Sequence, residues 1–160
     1  MISFSSPQNH RSSHIPPQID WNDSKLANDE IAYLVRNREL HIREWIHRPF
    51  LYYIIHQPPG DQYCTHALDL AQICLELCVE HLLQTSQHHR HHGTWYVARA
   101  AMARGLLIFA AAKSGKIRLP EGSKEALVMA RRTLEKWSTE APDLKRALAT
   151  WDKVEATIEI

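Results

Sequence analysis

Histidine is concentrated at one point of the chain, in the decapeptide SQHHRHHGTW. It contains His88, His89, His91 and His92. A zinc site needs three or four ligands that converge in a tetrahedron. A helical pair four residues apart could hold one ion, but no cysteine or carboxylate at a matching spacing completes the set. Gly93 follows at once, and imidazoles near a helix C-terminus interact well with its dipole and its free carbonyls. This position favours a helix end over a metal site.

Two further groupings resemble metal ligands. Cys74, Cys78 and His81 fall within about 60° of one another on a helix, but they also continue an apolar stripe, and free cysteine is among the most buried residue types. Glu44 and His47 match Glu-x-x-His, which is half of a di-iron motif whose second copy the sequence lacks. Core packing is the favoured interpretation of the first group, and neither group is assigned to a metal.

Catalytic motifs are absent from the sequence. There is no G-x-S-x-G elbow, and the five glycines are scattered singly, so no phosphate-binding loop is formed. Cys64 could pair with a histidine, but eleven histidines make such a pairing unspecific. We therefore expect no catalytic residue, no cofactor-binding residue and no metal ligand, and we expect the protein not to be an enzyme.

Length and composition indicate one globular domain. The chain has 160 residues, 44% hydrophobic and 23% charged, and its net charge of +1 gives no basic footprint for nucleic acid. Three cysteines, an odd number, fit reduced thiols in an intracellular protein. No secretory signal is recognisable at the N-terminus, and the most apolar stretch, YVARAAMARGLLIFAAA, is interrupted by two arginines. We expect neither direct nucleic-acid binding nor membrane insertion.

The elements that must position these residues are expected to be helices. Residues 1–22 lack an apolar period and are predicted to be a disordered leader, followed by a helical domain over residues 23–160. A first helix is expected from near Ser24. Pro49 is expected to end it or to open a short apolar helix. Its apolar positions are Ile31, Leu34, Val35, Leu40, Ile42 and Trp45.

Two long central helices are expected to meet near Gly93. Asp61 would cap the first of them, Gly93 would end it in a left-handed conformation, Thr94 would cap the second, and Gly115 would end that one. The apolar stripe of the first comprises Tyr63, Ala67, Leu70, Ala71, Cys74, Leu77, Cys78, His81 and Leu82. One face of the second carries Trp95, Ala98, Met102, Phe109 and Ala112.

Two more helices complete an all-α domain of five or six helices. Ser123 is expected to cap the first and Pro142 to open the second. Their inward stripes are, in order, Leu127, Ala130, Leu134 and Trp137, then Leu144, Leu148, Trp151, Val154 and Ile158.

Three ordered blocks of the chain resemble a known family. They are EWIHRPFLYYIIHQP at residues 44–58, HHRHHGTWYVARA at residues 88–100, and LPEGSKEALVMARRTLEKWSTEAPDLKRALATW at residues 119–151. Together they resemble the C-terminal half of the fungal-specific transcription factor domain, the regulatory region that follows a binuclear zinc cluster. Residues that carry the likeness are Trp45, Arg48, Pro49, Leu51, Tyr52, His92, Gly93, Trp95 and Arg99.

The resemblance implies a nuclear regulatory domain that binds a co-regulator, a second copy of itself or a small-molecule effector. It also implies that the histidine run is a structural corner and that Trp95 lies in the core. The chain departs from the family in having three cysteines and no C-x₂-C, so no zinc-ligand role is transferred. The expectation is a truncated or free-standing relative, which should expose an apolar patch.

Two other functions stay open at this point. One is a small helical metal-binding protein or enzyme that uses the histidines of residues 88–92. The other is a helical interaction module without a regulatory role.

Overall fold

The structure, a computed structural model, describes residues 30–58, 60–84 and 93–158, with side chains from residue 35 onward. These residues form five α-helices and no strand, so the all-α prediction is confirmed. The helices are α1 (Glu30–His56), α2 (Cys64–Gln84), α3 (Thr94–Ser114), α4 (Ser123–Ser138) and α5 (Pro142–Glu155). The predicted leader at residues 1–22 and the histidine run at residues 88–92 lie outside the described residues.

Helix α1 runs without interruption through Pro49. The expected break at this residue is therefore wrong. Proline lacks an N–H and crowds the carbonyl four residues earlier, but Pro49 is exposed, where water can satisfy that carbonyl. Beyond it, Leu51 and Ile54 are buried against the rest of the protein, which holds the last turns of α1 in place.

The two faces of α1 differ from the expectation. Leu40, Glu44 and Leu51 are buried on the inner face. Ile42 and Trp45, which the sequence pattern counted among the apolar positions of this helix, are 52% and 56% exposed. The 3.6-residue period explains the difference, because it turns these two positions away from the face that contains Leu40, Glu44 and Leu51.

Helix α2 contributes much of the core and packs most extensively against α1. Most of its predicted stripe is buried: Ala67, Ala71, Cys74, Leu77, Cys78, His81 and Leu82. Tyr63, at the start of the stripe, is exposed. The helix begins at Cys64, after a turn in which the Asp61 carboxylate accepts a hydrogen bond from the Tyr63 N–H at 2.9 Å. The backbone N–H of Cys64, the first residue of α2, also bonds to the Asp61 carboxylate, so Asp61 serves the N–H groups at the start of α2 as the predicted cap would.

Helix α3 starts at Thr94 and ends at Gly115, whose left-handed φ of 62° confirms the predicted stop. Gly93 has a right-handed φ of −86°, so the predicted left-handed glycine there is wrong. Trp95 is 49% exposed, which contradicts its expected place in the core. Instead, the Arg99 guanidinium lies over its ring at 3.4 Å from the centroid, a cation–π contact at the surface.

Helices α4 and α5 bear out their predicted stripes. All four inward residues of α4 are buried, and Leu144 and Trp151 are buried in α5, with its other three stripe residues packed against the core. Pro142 opens α5 as expected. Ser123 is the first residue of α4 rather than its cap, because Gly122, with φ of 79°, occupies the cap position.

Helix α3 passes close to α5 at a glycine. A Cβ atom at Gly105 would overlap ring carbons of Trp151, which is fully buried.

Within the described residues, a single helix, α3, has the length and the apolar composition that crossing a membrane requires. Its packing against α2, α4 and α5, and the buried charge of Arg104, are those of a core helix.

Candidate functional site

A buried ion cluster joins α1 to α3. Glu44 has no exposed surface, and its Oε2 atom accepts a hydrogen bond from Arg104 Nε at 2.7 Å. The Oε1 atom accepts a hydrogen bond from Arg48 Nη2, one helical turn further along α1. Arg104 itself is 3% exposed. Both oxygens of this buried carboxylate are therefore bound by guanidinium groups, one buried and one partly exposed.

His41 extends this cluster to the surface. Arg104 Nη2 donates a hydrogen bond to His41 Nδ1 at 2.8 Å. A nitrogen that accepts carries no proton, so the proton of this imidazole must lie on Nε2. That atom is 2.6 Å from the Tyr96 hydroxyl oxygen, to which it donates. Tyr96 is 51% exposed, so the chain of bonds reaches solvent. We call these five residues the Glu44 network.

Helix α2 closes the inner side of the Glu44 network. The His81 ring meets the His41 ring edge-on, with 6.1 Å between centroids. Cys74 Sγ donates to the Glu44 carbonyl oxygen at 3.9 Å. Cys78 is fully buried, and its hydrogen bond with Cys74 and its burial raise its pKa well above the usual range. The two cysteines and His81 are thus core residues, as the stripe predicts, although His81 also faces charges.

The charges fix the protonation of the Glu44 network. Burial acts to raise the pKa of Glu44, but the charge of Arg104 and the hydrogen bond from Arg48 outweigh it and hold the pKa below its ordinary value. Burial and the Arg104 charge lower the pKa of His41, and they lower that of His81 to about 4. At neutral pH the network has one carboxylate, two guanidiniums and the neutral imidazole of His41, and the neutral His81 lies beside it, which leaves an excess of positive charge.

Three of these side chains could serve as metal ligands. Candidate ligand atoms of His41, Glu44 and His81 lie within 4.8 Å of one another. A cation there would have to displace Arg104 from both Glu44 and His41, and it would lie beside two guanidinium charges. We therefore assign the group to ion pairing and not to metal binding.

The Glu-x-x-His spacing of Glu44 and His47, which the sequence analysis assigned to no metal, does not bring the two side chains together. His47 Nδ1 donates to the Arg43 carbonyl oxygen at 2.7 Å on the exposed side of α1. Glu44 instead accepts a hydrogen bond from Arg104, which is 60 positions away in the sequence. One signal was available: Arg104 lies among the small and apolar residues in the middle of α3, and a buried guanidinium needs an anionic partner. Nothing local identifies that partner.

An aromatic surface covers the Glu44 network. The Trp45 ring is tilted over the His41 ring at 4.7 Å between centroids, and the Tyr96 ring lies 5.7 Å from His41. Beyond Tyr96, Trp95 and its covering Arg99 are exposed, and Arg99 is held by Asp143 of α5 at 2.8 Å. Tryptophan, tyrosine and arginine are the residue types that dominate binding energy at protein interfaces.

The outer face of α1 carries an apolar line that continues this surface. Val35, Ile42, Ile46 and Pro49 recur at steps of seven, four and three residues, the spacing that brings side chains onto one seam of a coiled coil. Ile46 is 61% exposed and Val35 48% exposed, and Pro49 is also exposed. We call these four residues the α1 seam. Trp45 lies on one side of it, so the seam adjoins the aromatic surface.

A pocket of about 340 Å³ lies where α1 turns into α2. Its lining residues are Ile54, Gln57, Pro58, Gly60, Cys64, Thr65, Leu68 and Lys116. Lys116 Nζ donates to the carbonyl oxygens of Ile55 and Gln57, at 2.9 and 2.6 Å. This lysine follows the end of α3, so it ties that end to the last turn of α1. We call this cavity the turn pocket.

The chain matches no protein-family model, no curated protein and no solved structure. The likeness to the fungal regulatory domain therefore rests on the three sequence blocks alone, and the function that follows is a proposal.

Proposed function

We propose that this chain is a partner-binding regulatory domain of a fungal transcription regulator, acting in the nucleus, without catalytic activity and without a zinc cluster of its own. The three ordered sequence blocks support the family. The observation that carries the binding role is the α1 seam, because it places large apolar side chains in contact with water along one line of a helix.

Exposed apolar side chains are ordinary when they are scattered. A line of them on one helix, next to exposed tryptophan and tyrosine, is typical of an interaction surface. The spacing of the α1 seam suits a second helix, because knobs on such a helix would enter holes between residues three and four apart. A helical segment of another protein, or of the remainder of a longer regulator, is the occupant that this geometry favours.

Charges beside the α1 seam favour a partner with acidic flanks. Arg38 and Arg43 are exposed next to it, and Glu39 compensates only Arg43, at 3.9 Å. Two copies of α1 aligned in parallel would place these arginines near each other, which opposes self-association. We therefore assign the surface to a co-regulator or regulator helix that bears acidic residues, and a homodimer through α1 is the alternative outcome.

The mechanism would be conformational. An effector or partner that binds one packing of the helices more tightly shifts the population toward it, and the shift is limited by the difference in affinity. In this protein the outer face of α1 carries the α1 seam, and its inner face carries Glu44. A change in how α1 packs against the other helices therefore changes the surface that is presented to the partner.

Tethering the chain to a heterologous DNA-binding domain in a fungal reporter strain tests this function. We expect the tethered chain to change reporter transcription, and Ile42→Lys with Ile46→Lys to abolish the effect. Val128→Lys on α4 is the matched control, because Val128 is also an exposed apolar residue, at 48%. Immunoblots and circular dichroism would verify equal amounts and equal helix content.

Two results would contradict the proposal. One is a wild-type chain that leaves the reporter unchanged. The other is a seam variant as active as wild type. A concentration-dependent dimer in light scattering, lost in the seam variant, would instead identify a second copy as the occupant.

The metal-binding or enzymatic alternative rests on histidines outside the described residues. Stoichiometric metal that survives dialysis and is lost on replacing them would favour it.

A further inference from the structure

We propose that the turn pocket is a binding site for a small amphipathic carboxylate, that is, a molecule with a short apolar body and one carboxylate. The proposal deepens the regulatory function above by naming the effector class, and it rests on that function only for its biological meaning. Binding itself can be tested without any partner.

The size and walls of the turn pocket suit a small apolar body. Its volume of about 340 Å³ lies at the lower end of the range of small-molecule sites, which are mostly apolar with a few placed polar groups. Ile54, Pro58 and Leu68 supply apolar wall, and the Leu68 side chain is 39% exposed. Covering this leucine would remove apolar area from water.

The polar end of the turn pocket favours a negative group. An ammonium group has three N–H donors, and Lys116 uses two of them on the carbonyls of Ile55 and Gln57. The third is left for a ligand oxygen. Cys64 and Thr65 belong to the first turn of α2, where the helix dipole is positive. Both features attract a carboxylate and repel an amine.

The carboxylate of Asp61, which follows the lining residue Gly60 in the chain, belongs to the surroundings of this end. Asp61 is in the turn before α2, but its Oδ1 atom already accepts hydrogen bonds from the Tyr53 hydroxyl at 2.6 Å and from the Tyr63 N–H at 2.9 Å. It is not among the lining residues. Among the described residues that line the cavity, Lys116 is therefore the charged one, and no lining carboxylate neutralises it.

Lys116 also connects the turn pocket to the partner surface. Its two hydrogen bonds hold the last turn of α1, the helix that carries the α1 seam. A ligand carboxylate that binds the third N–H of Lys116 shares the ammonium group with those two carbonyls and so alters the geometry of their bonds. Occupancy of the turn pocket then changes how the end of α1 is held, which is the coupling that an effector needs.

Cys64 gives a direct readout of occupancy. It is a half-buried lining residue, whereas Cys74 and Cys78 are fully buried and serve as internal references in the same chain. The experiment measures the rate of Cys64 alkylation by N-ethylmaleimide, by peptide mass spectrometry, at increasing octanoate. We expect a saturable decrease, about tenfold when octanoate is at ten times its dissociation constant. Octanol lacks the carboxylate and acetate lacks the apolar body, so each should protect Cys64 much less than octanoate does.

Two variants locate the protection. Leu68→Trp fills the cavity and should remove the octanoate dependence. Lys116→Gln keeps a hydrogen-bond donor for the two carbonyls but loses the positive charge. It should raise the dissociation constant of octanoate about threefold to tenfold. Lys113→Gln, an exposed lysine in the last turn of α3, is the matched control and should leave the dissociation constant unchanged. Thermal melts would verify folding of each variant.

The proposal is overturned if octanoate leaves the Cys64 rate unchanged in wild type, or if protection persists undiminished in Leu68→Trp. It is equally overturned if Lys116→Gln and Lys113→Gln bind octanoate alike. The double variant Ile42→Lys with Ile46→Lys separates this proposal from the regulatory function, because it should lose reporter activity yet retain octanoate protection of Cys64.

Discussion

Acidification should destabilise this protein through His81, well before its carboxylates are protonated. His81 is 6% exposed, and it faces Arg104 of α3 together with His41 and Glu44 of α1. Burial, and then the charge of Arg104, lower its pKa from 6.5 to about 4 in the folded protein. Between those two pH values His81 is protonated in the unfolded chain but neutral in the folded protein. The unfolding free energy therefore falls as the pH falls.

The size of this loss follows from the two pKa values. With about 6.5 for the unfolded chain and about 4 for the folded protein, His81 removes about 2 kcal/mol of unfolding free energy between about pH 8 and about pH 5. The ceiling at lower pH is about 3 kcal/mol, since each pKa unit corresponds to about 1.4 kcal/mol. His41 acts in the same direction. The pKa of Glu44 is lowered in the folded protein, so Glu44 stabilises the fold fully at pH values above the pKa of an unfolded glutamate. This contribution is lost only when the pH falls below that value, toward the lowered pKa of Glu44.

Urea unfolding at several pH values, followed by tryptophan fluorescence, measures the effect. His81→Gln cannot titrate in this range, so we expect its unfolding free energy to fall by about 2 kcal/mol less than that of wild type between about pH 8 and about pH 5. His66→Gln is the control, because His66 is exposed on the same helix. Its pH dependence should follow that of wild type.

Equal pH dependence in His81→Gln and wild type, within about 0.5 kcal/mol, would refute the reasoning. It would mean that His81 accepts a proton in the folded protein as readily as in the unfolded chain. The charge relations within the Glu44 network would then differ from those described.

Two further predictions concern single contacts. Glu44→Gln leaves Arg104 and Arg48 without their anion and should lower the unfolding free energy by about 3 to 5 kcal/mol, whereas Glu39→Gln at the surface should change it by less than about 0.5 kcal/mol; urea melts would contradict the account if the two variants were alike. Gly105→Ala should cost about 1 to 3 kcal/mol because its methyl group meets Trp151, and in a double-mutant cycle the same change should cost less in a Trp151→Phe background.

Local periodicity was sufficient for much of the fold. In α4 and α5 the apolar residues fall on a single face, so the 3.6-residue period identified the buried ones, including Leu134 and Trp151. In α1 both faces carry apolar residues, and the period alone cannot say which faces the core. The choice is made by Glu44, whose burial against Arg104 fixes the rotation of the helix and leaves Ile42 and Trp45 outside.

The candidate sites depend on contacts that sequence spacing does not express. Glu44 and Arg104 meet across 60 positions, and Lys116 reaches the Ile55 carbonyl across 61. Both contacts are set by how whole helices pack. The exposed apolar patch was expected from the family resemblance, but its place on α1 was not.

The position of α1 has a consequence for how much of this protein a cell would contain. Its inner face supplies the carboxylate that pairs with the buried Arg104, so detachment of α1 would leave that charge without its partner and destabilise the remaining helices. A partner that binds the outer face of α1 stabilises the whole domain by mass action. Marginally stable chains are removed by proteases in proportion to their unfolded fraction. If the partner proposed above binds there, the abundance of this protein should rise and fall with the abundance of that partner, and a thermal-shift screen of candidate helices should detect it as a rise in melting temperature.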